Sequence, residues 1–133
     1  MNRRKIIGVD FDGTLATIDS PYPAIGEPIH EVIDYILDEQ KKGAYLILIT
    51  MREGLALEGA LMFCEDQGIK FDAVNDNLPH MKKWFNNNPR KIFCNEYIDD
   101  LNMGRNRIYK TRNWEEKKII WNIVLVQFVG VDI

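Results

Sequence analysis

Residues Ile6 to Ala16 read IIGVDFDGTLA. The run from Lys5 to Asp10 is short, apolar and β-branched, the pattern of a buried strand. It ends in Asp10 and Asp12, with Gly13 and Thr14 immediately after. Two like charges two residues apart repel each other, and neither has a partner nearby in sequence. They are poor core material, and their placement demands another justification.

Outward from that stretch the chain alternates between strand and helix. A loop punctuated by Pro21, Pro23, Gly26 and Pro28 follows. Ile29, Val32, Ile33, Ile36 and Leu37 then recur at helical spacing, with Pro28 placed for a first turn and Gly43 for the stop. Ala44 to Ile49 is apolar throughout, as in a parallel strand covered on both faces. A second helix is expected from near Glu53 to Gln67, ending at Gly68. Next come a strand over IKFDAVN (69–75), a short helix over PHMKKWF (79–85), a strand from Lys91 to Ile98, and a further strand at NRIYK (106–110). Asn113, with Glu115 and Glu116 behind it, opens a last helix. This alternation predicts an α/β fold: one doubly wound, mostly parallel sheet flanked by helices, in a single domain spanning 1–133.

With 133 residues, 46% hydrophobic and 28% charged, the chain can bury a core without disulfides or structural metals. A net charge of −3 gives no strong nucleic-acid signal. Cys64 and Cys94 form no CxxC pair, which argues against a zinc or redox motif and accords with a reducing cytoplasm. The apolar run 119–133, IIWNIVLVQFVGVDI, is interrupted by Asn122 and Gln127 and is short for a membrane span of about twenty residues; it is expected to be core. No membrane association is expected. Trp84 and Phe85 are expected to cover the sheet, and His30 and His80 to be ordinary helix or surface residues.

In such a sheet, ligands bind beyond the carboxyl ends of the strands, where strand order reverses. Those ends carry Asp10 and Asp12, then Thr50 and Arg52, then Asp99 and Asp100. Several carboxylates can share a crevice when a cation sits among them, and oxygen-only ligands point to magnesium rather than zinc. One carboxylate can attack phosphorus as a nucleophile, and a second can pass a proton to the leaving oxygen and then activate water. A threonine and a lysine at neighbouring strand ends can hold the phosphoryl oxygens. Structural roles are open to the same residues: Asp10 and Asp12 could cap a turn, Asp99 and Asp100 could begin one, and Arg52 with Glu53 could form a helix-start ion pair.

DFDGTL at 10–15 resembles the DxDxT motif of the haloacid dehalogenase superfamily of phosphotransferases. LILIT ending at Thr50 resembles its second motif, Lys91 its third-motif lysine, and YIDD at 97–100 its acidic fourth motif. The stretch TMREG at 50–54 is similar to one in the small capless bacterial and phage phosphatases of that superfamily. The resemblance implies a Rossmann-like fold without a cap domain, with Asp10 as nucleophile and Asp12 as general acid/base. It implies phosphate binding by Thr50 and Lys91, with Lys82, Lys83 and Arg90 as alternative cations. It also implies magnesium held by Asp10, the Asp12 carbonyl and Asp99, with Asp100 a ligand directly or through water. Arg52, Lys82, Lys83, Arg105 and Arg107 are candidate contacts to the substrate, a small phosphorylated molecule or a macromolecule end. Capless members leave the site open to large substrates or close it by homo-oligomerising. A receiver-like, non-catalytic phosphoacceptor module is the alternative, although receivers carry their phosphoacceptor aspartate at a middle strand end, where this chain has Thr50.

Overall fold

A computed structural model describes residues 4–100 and, as backbone, the strand at 106–110. The expected helix from Asn113, the run 119–133 and Arg105 lie outside the described residues, and of the Asp100 side chain nothing is said. The elements are β1 (Ile6–Val9), α1 (His30–Lys41), β2 (Tyr45–Leu48), α2 (Gly54–Asp66), β3 (Ala73–Val74), α3 (Pro79–Phe85), β4 (Glu96–Asp100) and β5 (Asn106–Lys110). They form one sheet in the order β3-β2-β1-β4-β5, in which the first four strands are parallel and β5 runs antiparallel to β4. The expected α/β architecture is therefore the observed one. The segment 17–28 is a loop, and Thr50 to β4 holds only α2, β3 and α3, so neither carries a cap domain. No described helix is long and apolar enough to cross a membrane.

Strand alternation sends side chains to two separate cores. Ile7, Val9, Leu46 and Leu48 face α1 and α2, packing with Val32, Ile33, Ile36, Ala60 and Cys64. Ile6 and Ile47 face the other way and join Leu78, Ile92, Cys94 and Tyr97, with Met81 of α3 against them. Central Gly8 has no room for a side chain, because an added Cβ would stand 2.7 Å from Ile49 Cδ1 and 2.8 Å from Cys94 Sγ. Both free thiols are buried.

Three elements, α1, β3 and β4, differ from expectation by two residues or more at an end. Helix α1 starts at His30 rather than near Pro28, because the Ile29 N–H donates to the Leu15 carbonyl (2.9 Å) and keeps Ile29 extended. Strand β3 is only Ala73–Val74, since side chains stand in for backbone at both of its ends. Asp72 Oδ2 accepts from the Leu46 N–H (2.8 Å), and Asn75 brackets Thr50. Strand β4 begins at Glu96 rather than Lys91, because the Asn77 amide captures the carbonyls of Pro89 (3.2 Å) and Lys91 (2.9 Å) while its oxygen accepts from the Phe93 N–H (2.9 Å). The expectation that Trp84 covers the sheet fails: it is 75% exposed, and Leu78 and Met81 do the covering. His80 packs its ring on Tyr45 (4.9 Å).

At the amino edge of the sheet lies a buried charge network. The Lys5 ammonium bridges Glu39 of α1 and Glu96 of β4 (2.8 Å to Glu96), and the Tyr35 hydroxyl donates to Glu96. Glu39 and Glu96 are only 5% and 3% exposed, so Lys5 supplies the charge that makes their burial tolerable.

Candidate active site

Asp10 follows the last residue of β1, and its N–H still donates to the Ile98 carbonyl of β4 (3.0 Å). This hydrogen bond fixes the backbone of the residue that leaves the sheet. In chain order the sheet grows from β1 through β2 to β3, then returns to place β4 on the other side of β1. Asp10 and Asp99 thus stand at the switch point where a doubly wound sheet opens a crevice. Their carboxyl groups are hydrogen-bonded to each other. Burial first, then the Asp99 carboxylate and more weakly Asp12, push the Asp10 carboxyl up to about 8.

Asp12 sits on a tight turn. The Phe11 carbonyl accepts from the N–H groups of Thr14 (3.1 Å) and Leu15 (2.9 Å), and Gly13 takes a φ of +79° that glycine adopts freely. Phe11 and Leu15 are fully buried and pin the turn, with Phe11 edge-on to Phe63 at 5.5 Å. Thr14 is also fully buried, and its Oγ1 finds no hydrogen-bond partner among the described residues.

Thr50, beyond the end of β2, is held by a side chain that imitates a strand. Asn75 has left-handed backbone (φ 51°), accepts from the Thr50 N–H (2.8 Å) and donates to the Thr50 carbonyl (2.8 Å). Asn75→Ala removes both bonds and leaves a β-carbon residue with positive φ. It is expected to lower stability by about 2 kcal/mol, read as a shift of the urea midpoint at unchanged slope. The Thr50 hydroxyl in turn accepts from the Arg52 N–H (3.1 Å).

Arg52 is 2% exposed and spends every guanidinium N–H inside the protein. Nε and Nη2 form a fork on the Asp12 carboxylate (2.9 and 2.7 Å); Nη1 donates to the carbonyls of Pro23 (3.0 Å) and Ala56 (3.2 Å), and Nη2 also to that of Ala24 (3.1 Å). Its partner is Asp12, not Glu53. The rings of Phe11 and Tyr22 lie 5.0 and 5.2 Å from its central carbon.

The fold therefore gathers Asp10, Asp12, Thr50, Arg52 and Asp99 at the carboxyl edge. Lys91 lies in the loop before β4, half-buried, and Asn77 ties its carbonyl to the segment that follows β3. Among its alternatives, Lys82 is paired with Asp76 (2.7 Å), whereas Lys83 and Arg90 are exposed. Sequence reasoning missed Asn75 and Asn77. The signal was the cluster Asn75-Asp76-Asn77 just past a strand, since such side chains bond backbone groups readily.

The donor set suits magnesium. Its described acids offer oxygen only, Asp10 and Asp99 stand together at the end of the sheet, and Arg52 is committed to Asp12. No three described His, Cys, Asp or Glu side chains converge as a ready cage. That arrangement is compatible with an ion that takes one or two carboxylates and keeps water.

No protein-family model matches the chain, and no curated protein matches it. Among solved structures, a conserved protein from Bacteroides thetaiotaomicron is similar to it, with 32% identity over 92% of this chain and 90% of that one and a TM-score of 0.63. Identity and coverage of this extent make the relation one of family: the chain belongs with that conserved Bacteroides protein.

Proposed function

We propose that the chain is a magnesium-dependent phosphomonoester hydrolase of the haloacid dehalogenase type, working through a phospho-aspartate on Asp10. The observation that carries this reading is the pairing of Asp10 with Asp99 at the switch point, with Asp12 on the adjoining turn. A crowded, partly buried acid pair there is costly unless it serves a cation and a phosphate.

In the first step a carboxylate oxygen of Asp10 attacks phosphorus. The ester P–O bond breaks, and the leaving oxygen takes a proton from Asp12. In the second, water attacks the phosphorus and gives its proton to Asp12. The bond to Asp10 then breaks and returns the free carboxylate with inorganic phosphate. Thr50 and Lys91 hold phosphoryl oxygens. Asp10, Asp99 and the Asp12 carbonyl, with Asp100 directly or through water, would hold magnesium, which would supply positive charge to offset that of the phosphoryl oxygens. The receiver-like alternative is disfavoured because Thr50, not an acid, stands just beyond the end of β2, and Asp12 follows Asp10 by two residues on the adjoining turn. Reaction in the cytoplasm would keep Cys64 and Cys94 reduced.

Phosphate release from an aryl phosphate and a panel of phosphomonoesters, with magnesium and with EDTA, tests the reading. Wild type is expected to turn over only with magnesium, and Asp10→Asn to lose at least about a thousandfold in kcat. Magnesium-independent release, or an Asp10→Asn variant that keeps wild-type rates, overturns it.

A further inference from the structure

We propose that Arg52 is a positioning residue: it fixes the Asp12 carboxylate in place, anchors it to the loop 17–28 and the first turn of α2, and does not touch the substrate. The inference rests on the phosphatase reading of the same site.

Asp12 stands on a turn with a third of its side chain exposed (33%), so its own surroundings leave the carboxylate free to change rotamer. Arg52 removes that freedom. Its side chain is 1% exposed, and its planar fork meets both carboxylate oxygens. The remaining N–H groups are spent on the carbonyls of Pro23 and Ala24, from the loop between β1 and α1, and Ala56 of α2. The flanking rings of Phe11 and Tyr22 contribute to holding the guanidinium in place. A side chain so committed cannot hand an N–H to a leaving group without abandoning a buried partner, which is unfavourable. The consequence for catalysis is geometric: proton transfer to and from Asp12 depends on a carboxylate whose orientation is set from forty residues along the chain. Misplacing a reacting group by about 1 Å costs about a hundredfold in rate.

Lysine cannot reproduce a fork, being a point charge on a flexible stem. Arg52→Lys is therefore expected to lower kcat by about thirty- to a hundredfold while KM changes by less than about threefold. The loss is expected to shrink to less than about threefold in an Asp12→Asn background, because there is no longer a carboxylate to orient. Tyr22 is 61% exposed, so Tyr22→Leu keeps the core intact while removing one ring beside the guanidinium. It is expected to cost about threefold in kcat, again only where Asp12 is present. Circular dichroism and urea midpoints establish folding, and Tyr22→Leu carries the test if Arg52→Lys does not fold.

A rise in KM at constant kcat would make Arg52 a substrate contact and overturn the proposal, as would losses that simply multiply with that of Asp12→Asn. Wild type without magnesium-dependent, Asp10-dependent hydrolysis would overturn the phosphatase reading and the proposal with it. An active wild type with fully active Arg52→Lys and Tyr22→Leu overturns the positioning role alone.

Discussion

Asp10→Asn is expected to stabilise the metal-free protein at the same time as it removes turnover. The Asp10 carboxyl is pushed up to about 8 by burial and by Asp99, against an ordinary value near 4. A carboxyl that holds its proton more tightly when folded lowers stability as pH rises, because the unfolded chain releases that proton first. The penalty is absent below about pH 4, grows between about pH 4 and pH 8, and is constant above. Asparagine never ionises, so the variant escapes it. In EDTA at pH 8 the gain is expected to be about 2–4 kcal/mol, less than the full shift implies because Asp10 and Asp99 titrate together. At pH 4 it is expected to vanish. Magnesium should then stabilise wild type more than Asp10→Asn, since a ligand of the folded state acts by mass action. Urea unfolding at several pH values, with and without magnesium, checks all three. Equal stability of the two proteins at pH 8 in EDTA would mean that Asp10 carries no such strain.

The second large effect lies at the opposite edge of the sheet. Lys5→Met keeps an unbranched stem one atom shorter and removes the ammonium between two nearly buried carboxylates. Burial alone would lower the Lys5 amine, but Glu39 and Glu96 outweigh it and hold the amine well above its usual range. Burial would likewise raise Glu39, yet Lys5 and Lys42 bring it below the ordinary carboxylate value. Removing Lys5 leaves Glu39 with Lys42 and Glu96 with the Tyr35 hydroxyl but takes away the ammonium that bridges them, and the expected loss is about 3 kcal/mol at pH 7. The sign with pH is set. Wild type loses the contribution of Glu39 as acid protonates it through its depressed folded value. The variant gains relief when Glu39 protonates. The difference between the two proteins should therefore shrink as pH falls below about 5. A pH-independent difference in urea midpoint would show that Lys5 acts only through packing. Activity at pH 7, measured on the folded fraction, should be unchanged, since the network lies at the edge away from Asp10.

Much of the fold was legible in local pattern. Val9-Asp10, Leu48 to Thr50 and Ile98-Asp99 read as apolar strands running into candidate site residues, and their parallel pairing follows from the helices between them. The helix over Pro79–Phe85 agrees residue for residue with its reading. Less legible was anything that a side chain did to the backbone at a distance. Asn77 takes the Lys91 carbonyl out of reach of the sheet, so β4 starts late. Asp72 and Asn75 replace ladder bonds, so β3 shrinks to two residues.

The same division holds at the candidate site. The sequence by itself determined which residues stand at the strand ends, because period and turn chemistry act between near neighbours and need no fold to be read. It also determined that Asp10 and Asp12 needed a justification beyond packing. Only the tertiary structure decided that Asp10 meets Asp99 and that Arg52, open in sequence to either substrate contact or a pair with Glu53, closes on Asp12. Those contacts join the ends of neighbouring strands far apart in sequence, and their energies depend on burial and approach distance. Neither quantity exists until the strands are side by side.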